Sequence, residues 1–386
     1  MSVFQGYERP DGSAGIRNHV AVIPSVACAN GVVAAIAREV PEVVPLFHGH
    51  GCGRAGEDLG IHFKALANLA GNPNVYGVLV VGLGCEVIKA EYLSERMSHS
   101  GKPVEFFNIQ DVGGSRRAAA RGAESVRGML AGAAAQKRVP LPLSAVVLGL
   151  ECGGSDAFSG VTANPSAGLV ADWLVGEGGT AILTETTEMI GTSHILERRS
   201  KDEKVAGEVA ARIAAAERRA YEILGPLASQ VIAPGNMDGG MSSIREKSLG
   251  CILKGGSTTI NEVTDYGDAP TETGLVVMDG PGYDVESITG LAAAGCQLMI
   301  FTTGRGNPIG FPLVPVIKVA STSRLYRNME DDMDVNAGAI LEGKTLADVA
   351  GEMKALILRV LDGENTKAEL NHQEGILCLY SVTPAF

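Results

Sequence analysis

Residues 75–86 read VYGVLVVGLGCE, a run of apolar residues that ends in a glycine-flanked cysteine and an acid. An apolar run of this length, closed by glycine, is typical of a strand buried on both faces of a parallel sheet. The pattern recurs along the chain with helix-forming stretches between, so we predict an α/β fold of Rossmann-like βα units around parallel sheets. The predicted strands are Val20–Ser25, Val43–Phe47, Val75–Val81, Val104–Ile109, Ala145–Leu150, Thr180–Thr184, Leu275–Met278 and Leu298–Thr302.

The length of the chain predicts two or three domains, because 386 residues exceed what a single hydrophobic core fills. One boundary is expected near residue 140, at VPLPLS. Another is expected near residue 230, where SQVIAPGNMDGGM follows a predicted helix over residues 202–223. The predicted parts are a Rossmann-like α/β domain over 1–140 with Cys/His loops, a second α/β segment over 141–230 with the CGGSD loop, and a C-terminal α/β domain over 231–386 with the GGSTT and TGRG loops.

The composition favours a small-molecule partner. A net charge of −12 argues against a nucleic-acid or anionic-membrane surface, which would require a basic face. No apolar run approaches the roughly 18 to 20 residues that span a bilayer, and the start MSVFQGYERPDG lacks the pattern of a signal peptide, so we expect a cytoplasmic protein. No GxSxG elbow occurs, and no GxGxxG opens a helix after the first predicted strand, which argues against serine-hydrolase and nicotinamide chemistry.

Four cysteines directly follow predicted strands: Cys28, Cys52, Cys85 and Cys152. Ligands bind in the crevice outside the carboxyl ends of parallel strands, so all four are candidates to face one site. Seven cysteines without a secretion signal favour thiolate ligands or free thiols over disulfides. We therefore predict iron, as Fe²⁺ or an iron–sulfur cluster, or another divalent metal. The alternative, a small buried hydrophobe, is the interpretation for Cys251, Cys296 and Cys378.

Histidines and acids beside these cysteines extend the candidate site. His48 and His50 alternate along FHGHGCG, which puts both on one side of an extended segment for ligand or acid–base duty. The alternative is that His48 and His50 are ordinary core or surface residues without a functional role. Glu86 and Asp156 follow Cys85 and the Cys152 turn, where they are candidates to bind a metal or orient a ligand; either could instead cap a helix.

Three polar, glycine-rich loops predict an acid as substrate: residues 152–165, 254–262 and 301–310. Exposed amides, hydroxyls and fixed cations are what carboxylate recognition needs, and Arg305 offers a bidentate fork. The acids at 330–334 are expected to form a solvated face, with cation binding as the alternative. The candidate substrate-binding residues are Arg17, Asn18, Ser155, Asp156, Thr258, Thr259, Arg305 and Asn307.

The motifs together resemble the large catalytic part of the altronate and galactarate dehydratase family. They are GYERPDGSAGIRNHVAVIPSVACAN, HGHGCG, VVGLGCE, ECGGSDAFSGVTANP, GGTAILTET, EKSLGCILKGGSTTINEV, MDGPGYD, FTTGRGNPIGFPLVPVIKVAS and DDMDVNAG. The resemblance covers nearly the whole chain. It implies an iron- or divalent-metal-dependent lyase acting on hexaric or hexonic acids, in a family that also includes the two-subunit (2R)-3-sulfolactate sulfo-lyase.

The resemblance also implies a partner. Single-chain dehydratases of the family usually carry a small SAF domain before the GYxRxDGRxGxRN motif, which here begins at Gly6. We therefore expect a separate small SAF-type subunit and an oligomer. Two departures from the family pattern matter: Ala337 stands where many dehydratases have cysteine, and Asn307 and Pro308 alter the usual TGRGSxFG. Ala337 removes any role for a thiol at that position, and Asn307 and Pro308 put a sugar-acid specificity in doubt. The expected separate subunit favours the sulfo-lyase.

The expected reaction is metal-assisted elimination from a 2-hydroxy acid. The metal binds the substrate's carboxylate and 2-hydroxyl, and His50 or His48 removes the C2 proton. Lys254 or Arg305 neutralises the developing negative charge. The leading substrate is (2R)-3-sulfolactate, giving pyruvate and sulfite. The alternatives are a sugar-acid dehydratase of altronate or galactarate type and a non-catalytic binding subunit.

Overall fold

Parallel sheets dominate the computed structural model, which describes residues 2–230, 232–373 and 375–383. The strands are Val3–Glu8 (β1), Ala14–Gly15 (β2), His19–Pro24 (β3), Val44–Pro45 (β4), Val75–Gly82 (β5), Val104–Asn108 (β6), Val139–Pro142 (β7), Val147–Cys152 (β8), Thr180–Leu183 (β9), Ile260–Thr264 (β10), Gly274–Met278 (β11), Leu298–Thr303 (β12), Val316–Ala320 (β13) and Val335–Asn336 (β14). All eight strands predicted from the sequence are present, which confirms the α/β class.

The helices lie mainly between parallel strands. They are Asn30–Glu39 (α1), Gly56–Gly71 (α2), Ala90–Ser98 (α3), Ile109–Val112 (α4), Ser115–Ala135 (α5), Ala163–Gly176 (α6), Ser193–Glu197 (α7), Glu203–Leu224 (α8), Pro234–Asp238 (α9), Ile244–Cys251 (α10), Asp284–Ala293 (α11), Ser323–Asn328 (α12), Leu346–Leu361 (α13) and Lys367–Leu370 (α14). The predicted helix over 202–223 is α8, and the carboxylate of Asp202 caps it by accepting from the Val205 N–H at 2.9 Å. No described helix is long and apolar enough to cross a membrane.

The first parallel sheet has four strands in the order β4-β3-β5-β6. Alternate residues of its central strands enter two different cores, as the two-residue period of a strand requires. Val20 and Val22 pack with residues of α1 and α5. Ala21 and Ile23 pack with residues of α2. Both faces are therefore covered, which explains why these strands read as continuous apolar runs.

The second parallel sheet has seven strands in the order β10-β11-β9-β8-β12-β13-β14. Leu148 and Leu150 on one face pack with α6 and α13. Met299 and Phe301 on the other face share a core with α11, α2 and residues of the four-stranded sheet. The two sheets thus sandwich a common core that contains α2 and α11. The carboxyl ends of β8, β9 and β12 lie at one edge of the larger sheet.

A small antiparallel sheet joins the ends of the first part of the chain. β1 pairs with β2 and with β7, and β7 spans the expected boundary near residue 140. That boundary separates the strands of the two parallel sheets. The expected boundary near residue 230 falls between β9 and β10, which lie in the same sheet. The division of the chain into three domains stays a prediction.

Candidate active site

The central strands of the seven-stranded sheet end in acids and a cysteine. Glu151 and Cys152 end β8, and Glu185 follows β9 by two residues. The main-chain N–H of Cys152 donates to Oε2 of Glu185 at 3.1 Å. Glu185 has a φ of 69°, in the left-handed region that residues other than glycine rarely adopt. Because such strain clusters at functional sites, this edge of the sheet is the candidate active site.

Two thiols and one carboxylate converge here. The Sγ atoms of Cys152 and Cys251 lie 3.4 Å apart. Oε2 of Glu188 accepts from the Cys152 thiol at 3.1 Å and from the Cys251 thiol at 2.9 Å. All three side chains are buried, and their ligand atoms lie within 4.8 Å of one another. We call Cys152, Glu188 and Cys251 the thiol–carboxylate triad; it is a possible metal-binding group.

The environment protonates the thiols and ionises the acid. The hydrogen bond with Cys251, together with burial, raises the pKa of Cys152 well above its usual value. The bond with Cys152 favours the thiolate of Cys251, but burial and the Glu188 carboxylate together raise its pKa. Burial opposes ionisation of Glu188, yet Lys247, Lys254 and hydrogen bonds hold its pKa below the usual value. A metal that binds the thiolates must therefore displace protons from them.

Two buried lysines neutralise the acids of the site. The Lys247 ammonium bonds to Oε1 of Glu188, and Lys254 Nζ donates to Oε2 of Glu185 at 2.8 Å. Both ammonium groups are almost fully buried. Burial lowers the pKa of Lys254, but the surrounding thiols and carboxylates raise it more, so the ammonium form is favoured. Lys254, predicted from the sequence as a site residue, lies at this edge of the sheet, and its catalytic role stays a prediction.

A cleft of about 840 Å³ opens beside the triad. Its polar wall includes Glu188, Lys247, Asp284 and Arg305. Its apolar side and rim include Leu224, Leu227, Ile232, Ile244 and Tyr283. A cleft of this size suits a small acid, since typical ligand sites measure about 300–1,000 Å³.

The glycine-rich loop after β8 shapes one wall of the cleft. Asp156 accepts from the main-chain N–H and hydroxyl of Ser159, both at 2.8 Å, and from the Ser321 hydroxyl at 2.9 Å. Its carboxylate therefore orders the loop. The Ser155 hydroxyl lies 3.8 Å from Sγ of Cys152, which places Ser155 beside the triad. Asn307 reaches the site from the neighbouring loop, where its amide donates to Oδ2 of Asp284 at 2.5 Å.

Thr258 and Thr259 do not line the cleft. The Thr258 main-chain N–H donates to Oδ1 of Asp172 in α6 at 3.1 Å, and its carbonyl accepts from Arg199 at 2.9 Å. Thr259 is exposed. The GGSTT loop thus turns toward α6, while Lys254 at its start bonds to Glu185.

Arg17 and Asn18 connect distant parts of the chain. The Arg17 guanidinium donates to both carboxylate oxygens of Glu369, at 2.8 and 2.9 Å, and to three main-chain carbonyls. Asn18 accepts from Arg9 and donates to the Ala133 carbonyl, both at 2.8 Å. These contacts use the polar groups of both residues within the fold, away from the cleft lining.

A substitution distinguishes a structural role of Arg17 from the predicted role in substrate binding. We expect Arg17→Ala to lower the free energy of unfolding by about 2–4 kcal/mol, since it leaves buried carbonyls and Glu369 without their donor. Arg127→Ala, which removes the exposed pair with Glu39, is the control and should cost less than about 1 kcal/mol. Urea denaturation measures both. A tenfold rise in KM with unchanged stability would instead support the substrate-binding prediction for Arg17.

The remaining candidates lie at the carboxyl edge of the four-stranded sheet. Cys28, Cys52 and Cys85 follow β3, β4 and β5, and all three are exposed. The structure therefore divides the four predicted cysteines between two sheets, three on one and Cys152 on the other. Glu86 accepts from the Ser25 hydroxyl and from the N–H groups of Leu83 and Gly84, so its carboxylate clamps two of the strand-end loops together.

Both histidines are held by partners near these loops. Nε2 of His48 lies 2.6 Å from the Pro24 carbonyl, and Nδ1 accepts from the His50 N–H at 3.1 Å. Nε2 of His50 accepts from the Leu379 N–H at 3.0 Å. Burial lowers the pKa of His48 to about 4 and that of His50 to about 3, so both rings are neutral at pH 7. The catalytic role of the two histidines stays a prediction.

Sequence reasoning missed several residues of the site. Glu185 and Glu188 follow β9, so the strand-end rule that identified Cys152 also applies to them. Cys251, expected to be a buried cysteine, is buried but also touches Cys152. No local signal identifies it, because it ends a helix rather than a strand. Its position depends on how α10 packs against the rest of the domain.

The fold and the site define an α/β protein with a possible metal-binding centre at a sheet edge. Residues 143–383 match the family described as D-galactarate/altronate dehydratase, C-terminal. Residues 6–134 match the second domain of D-galactarate dehydratase/altronate hydrolase. The chain belongs to the D-galactarate/altronate dehydratase family, as its motifs predicted.

Individual relatives are similar along most of their length. An altronate dehydratase from Bacillus subtilis is 36% identical over 380 residues, which are 95% of this chain and 76% of the relative. A (2R)-sulfolactate sulfo-lyase subunit beta from Chromohalobacter salexigens is 33% identical over 381 residues, 97% of this chain and 96% of the relative. A galactarate dehydratase (L-threo-forming) from Escherichia coli is 35% identical over 383 residues, which are 94% of this chain and 73% of the relative. These relatives are lyases, and the chain is a lyase.

Proposed function

We propose that the chain eliminates a C3 group from a small 2-hydroxy acid in the cleft beside the triad, with (2R)-3-sulfolactate as substrate and pyruvate and sulfite as products. The observation that carries this proposal is the convergence of Cys152, Glu188 and Cys251 at a cleft that also presents Lys247 and Arg305. Metal-ligand donors beside fixed cations suit an acid that must be bound and polarised.

The donor set fits iron(II) or another borderline divalent ion. Thiolates are soft ligands, and the carboxylate of Glu188 is already ionised. Lys254 favours the thiolate of Cys152, and Lys247 and Lys254 favour that of Cys251, which offsets part of the cost of displacing the thiol protons. Held by Cys152, Glu188 and Cys251, the metal would supply a Lewis acid for the substrate's carboxylate and hydroxyl.

The side chains of the cleft perform the other tasks. Arg305 is exposed on the cleft wall, where its guanidinium can form a bidentate pair with a carboxylate or sulfonate. Lys247 brings a second positive charge from the floor of the cleft. The apolar residues of the rim exclude water around the bound acid, which strengthens these charge interactions.

One feature of the site supports sulfolactate over a sugar acid. Asn307, a departure from the usual dehydratase motif, lies at the site and bonds to Asp284. Sulfite also leaves more easily than hydroxide, so such an enzyme needs less help from a general acid. We infer that a separate small SAF-type subunit completes the enzyme, as the name of the beta-subunit relative implies a partner for that protein.

A sugar-acid dehydratase is the second candidate, since the altronate dehydratase of Bacillus subtilis is 36% identical. The relatives named above are enzymes or an enzyme subunit, so they give no support to the non-catalytic alternative. The cytoplasmic location and the oligomer stay predictions of the sequence.

An anaerobic assay tests the proposal. The iron-loaded chain, co-expressed with the small subunit, is incubated with (2R)-3-sulfolactate, altronate or galactarate, and sulfite and 2-oxo acids are measured separately. We expect equal amounts of sulfite and pyruvate from sulfolactate. A chelator should abolish this activity and iron(II) should restore it, because the triad requires a metal to act. A keto-deoxy sugar acid without sulfite would make the enzyme a dehydratase, and chelator-resistant turnover would contradict the metal.

A further inference from the structure

Three neighbouring strands place charged residues on both sides of an aromatic ring. Phe301 of β12 is in register with Glu151 of β8 and with Lys318 of β13. Residues in register on parallel neighbours share a face of the sheet. This is the face that α11 covers, since Ser287 of α11 donates to Oε2 of Glu151. A carboxylate and an amine therefore flank Phe301 in the interior of the protein.

Lys318 and Glu151 both keep an unbonded polar atom there. Nζ of Lys318 lies 3.3 Å from the centroid of the Phe301 ring and makes no hydrogen bond to any described residue. Oε1 of Glu151 also lacks a partner among the described residues. Both side chains are fully buried. Unpaired buried charges cost several kcal/mol, so proteins rarely keep them without a functional reason.

Burial shifts the proton equilibrium of this amine. Desolvation lowers the pKa of Lys318 to about 7, against the opposing effect of the acids that face it. Those acids are Asp284 of α11, Glu151 of β8, and Asp334 and Asp332 of the segment before β14. Near neutral pH the amine is thus able both to accept and to release a proton, which an ordinary lysine does not do.

Asp284 connects this interior group to the cleft. Its side chain lines the cleft at the start of α11, and Asn307 holds its Oδ2 at 2.5 Å. A Cβ at Gly153 would lie 2.1 Å from that oxygen and 2.7 Å from the Phe301 ring, so glycine is required there. The Asp284 carboxylate therefore lies near the Phe301 ring, on which the Lys318 amine rests.

We propose that Asp284 and Lys318 form the proton-transfer pair of the cleft, a role that rests on the proposed lyase function. Asp284 is the catalytic base that faces the substrate, and Lys318 is the positioning residue that stores the proton behind it. This assignment competes with His48 and His50, whose ring nitrogens bond to the four-stranded sheet and the C-terminal segment.

The proposed step balances without an oxidant or reductant. Oδ1 of Asp284 takes the proton from the carbon beside the substrate carboxylate. The electron pair of the broken C–H bond forms the double bond of an enol, and the C3 group departs with its own bonding pair. Asp284 then passes the proton to the neutral amine of Lys318, directly or through one water. The same proton returns to C3 when the enol becomes the 2-oxo acid, and the enol hydroxyl gives its own proton to the departed sulfite or hydroxide, directly or through water.

Two replacements of Lys318 separate proton transfer from charge and packing. Lys318→Met keeps the length of the side chain but has no amine. Lys318→Arg keeps the positive charge but does not release its proton at accessible pH. Asp284→Asn removes the base itself, and Lys204→Met, at a lysine that is 83% exposed, is the matched control. Each variant is prepared as the iron-loaded enzyme with its small subunit and compared by kcat, KM, iron content and pH profile.

We expect kcat to fall by about 10²–10⁴-fold in Lys318→Met, Lys318→Arg and Asp284→Asn, with iron content and KM nearly unchanged. In the wild type we expect kcat to change with pH near neutrality. The residual kcat of Lys318→Met should not show this change. If Lys318→Arg keeps the wild-type kcat, Lys318 acts only as a fixed positive charge. If Lys318→Met keeps the wild-type kcat, Lys318 contributes only packing. Either result overturns the proposal.

The same experiment distinguishes this failure from a failure of the proposed function. If the wild-type enzyme does not turn over sulfolactate, altronate or galactarate, the lyase assignment at this cleft is wrong, and so is the assignment of the proton-transfer pair. If wild type is active and only His50→Gln loses kcat, the function stands and the base lies at the four-stranded sheet. Unchanged circular dichroism of each variant confirms that the loss is not unfolding.

Discussion

Replacing either cysteine of the triad should remove both the metal and the activity. We expect Cys152→Ser and Cys251→Ser to lower iron content at least tenfold and turnover at least about 10³-fold, since each removes one of three donors from a small site. Serine preserves the size of the side chain, so the fold should persist. Iron per chain, measured by elemental analysis, and initial rates are the readouts.

Other cysteines provide the matched controls for this prediction. Cys296 is also fully buried but lies in the core between the two sheets, so Cys296→Ser should retain iron and activity. The triple replacement of Cys28, Cys52 and Cys85 tests the exposed edge of the four-stranded sheet. If that triple variant loses iron while Cys152→Ser keeps it, the metal binds at the other sheet and the triad is not the centre.

Lys318 should give the protein an unusual dependence of stability on pH. The pKa of this lysine is about 7 in the folded protein, below the usual value of 10.5. The unfolded chain therefore binds more protons between these values, and the free energy of unfolding contributed by Lys318 rises as pH increases from 7 to 10.5. Below pH 7 both states are protonated, and the native state carries the full penalty of the buried charge.

The penalty amounts to roughly 5 kcal/mol, because each unit by which the pKa of Lys318 is lowered on folding costs about 1.4 kcal/mol. We therefore expect Lys318→Met to be more stable than wild type by several kcal/mol at pH 6. The difference should shrink toward zero by pH 10. Urea denaturation of both proteins at several pH values measures it, and the comparison cancels the contributions of groups that do not face Lys318. A constant difference across this range would show that Lys318 titrates normally.

The fold was largely predictable from the sequence because its strands are buried on both faces. Val75–Gly82 and its neighbours read as uninterrupted apolar runs, which is the signature of a covered parallel sheet. The short strands at the edges were missed. Val3–Glu8 alternates polar and apolar residues around a glycine, and Val139–Pro142 contains two prolines, so neither resembles a central strand.

The strand-end rule singled out only part of the candidate site. Cys152 was predicted because it ends a strand of the larger sheet. Lys254 was predicted from the glycine-rich loop that it begins, and it lies before β10 rather than after a strand. Cys251 and Lys247 lie on α10, about one hundred residues from Cys152, and their approach depends on tertiary packing that no local pattern encodes. Lys318 was missed because a lysine within an apolar strand looks like an exposed edge residue.

X-ray absorption at the iron edge tests most directly whether Cys152, Glu188 and Cys251 hold the catalytic metal. We expect sulfur ligands in the iron-loaded wild type, fewer of them in Cys152→Ser, and fewer again in the double Cys152→Ser/Cys251→Ser variant. Iron that is surrounded by oxygen and nitrogen alone, or whose sulfur signal survives in the double variant, would contradict this assignment.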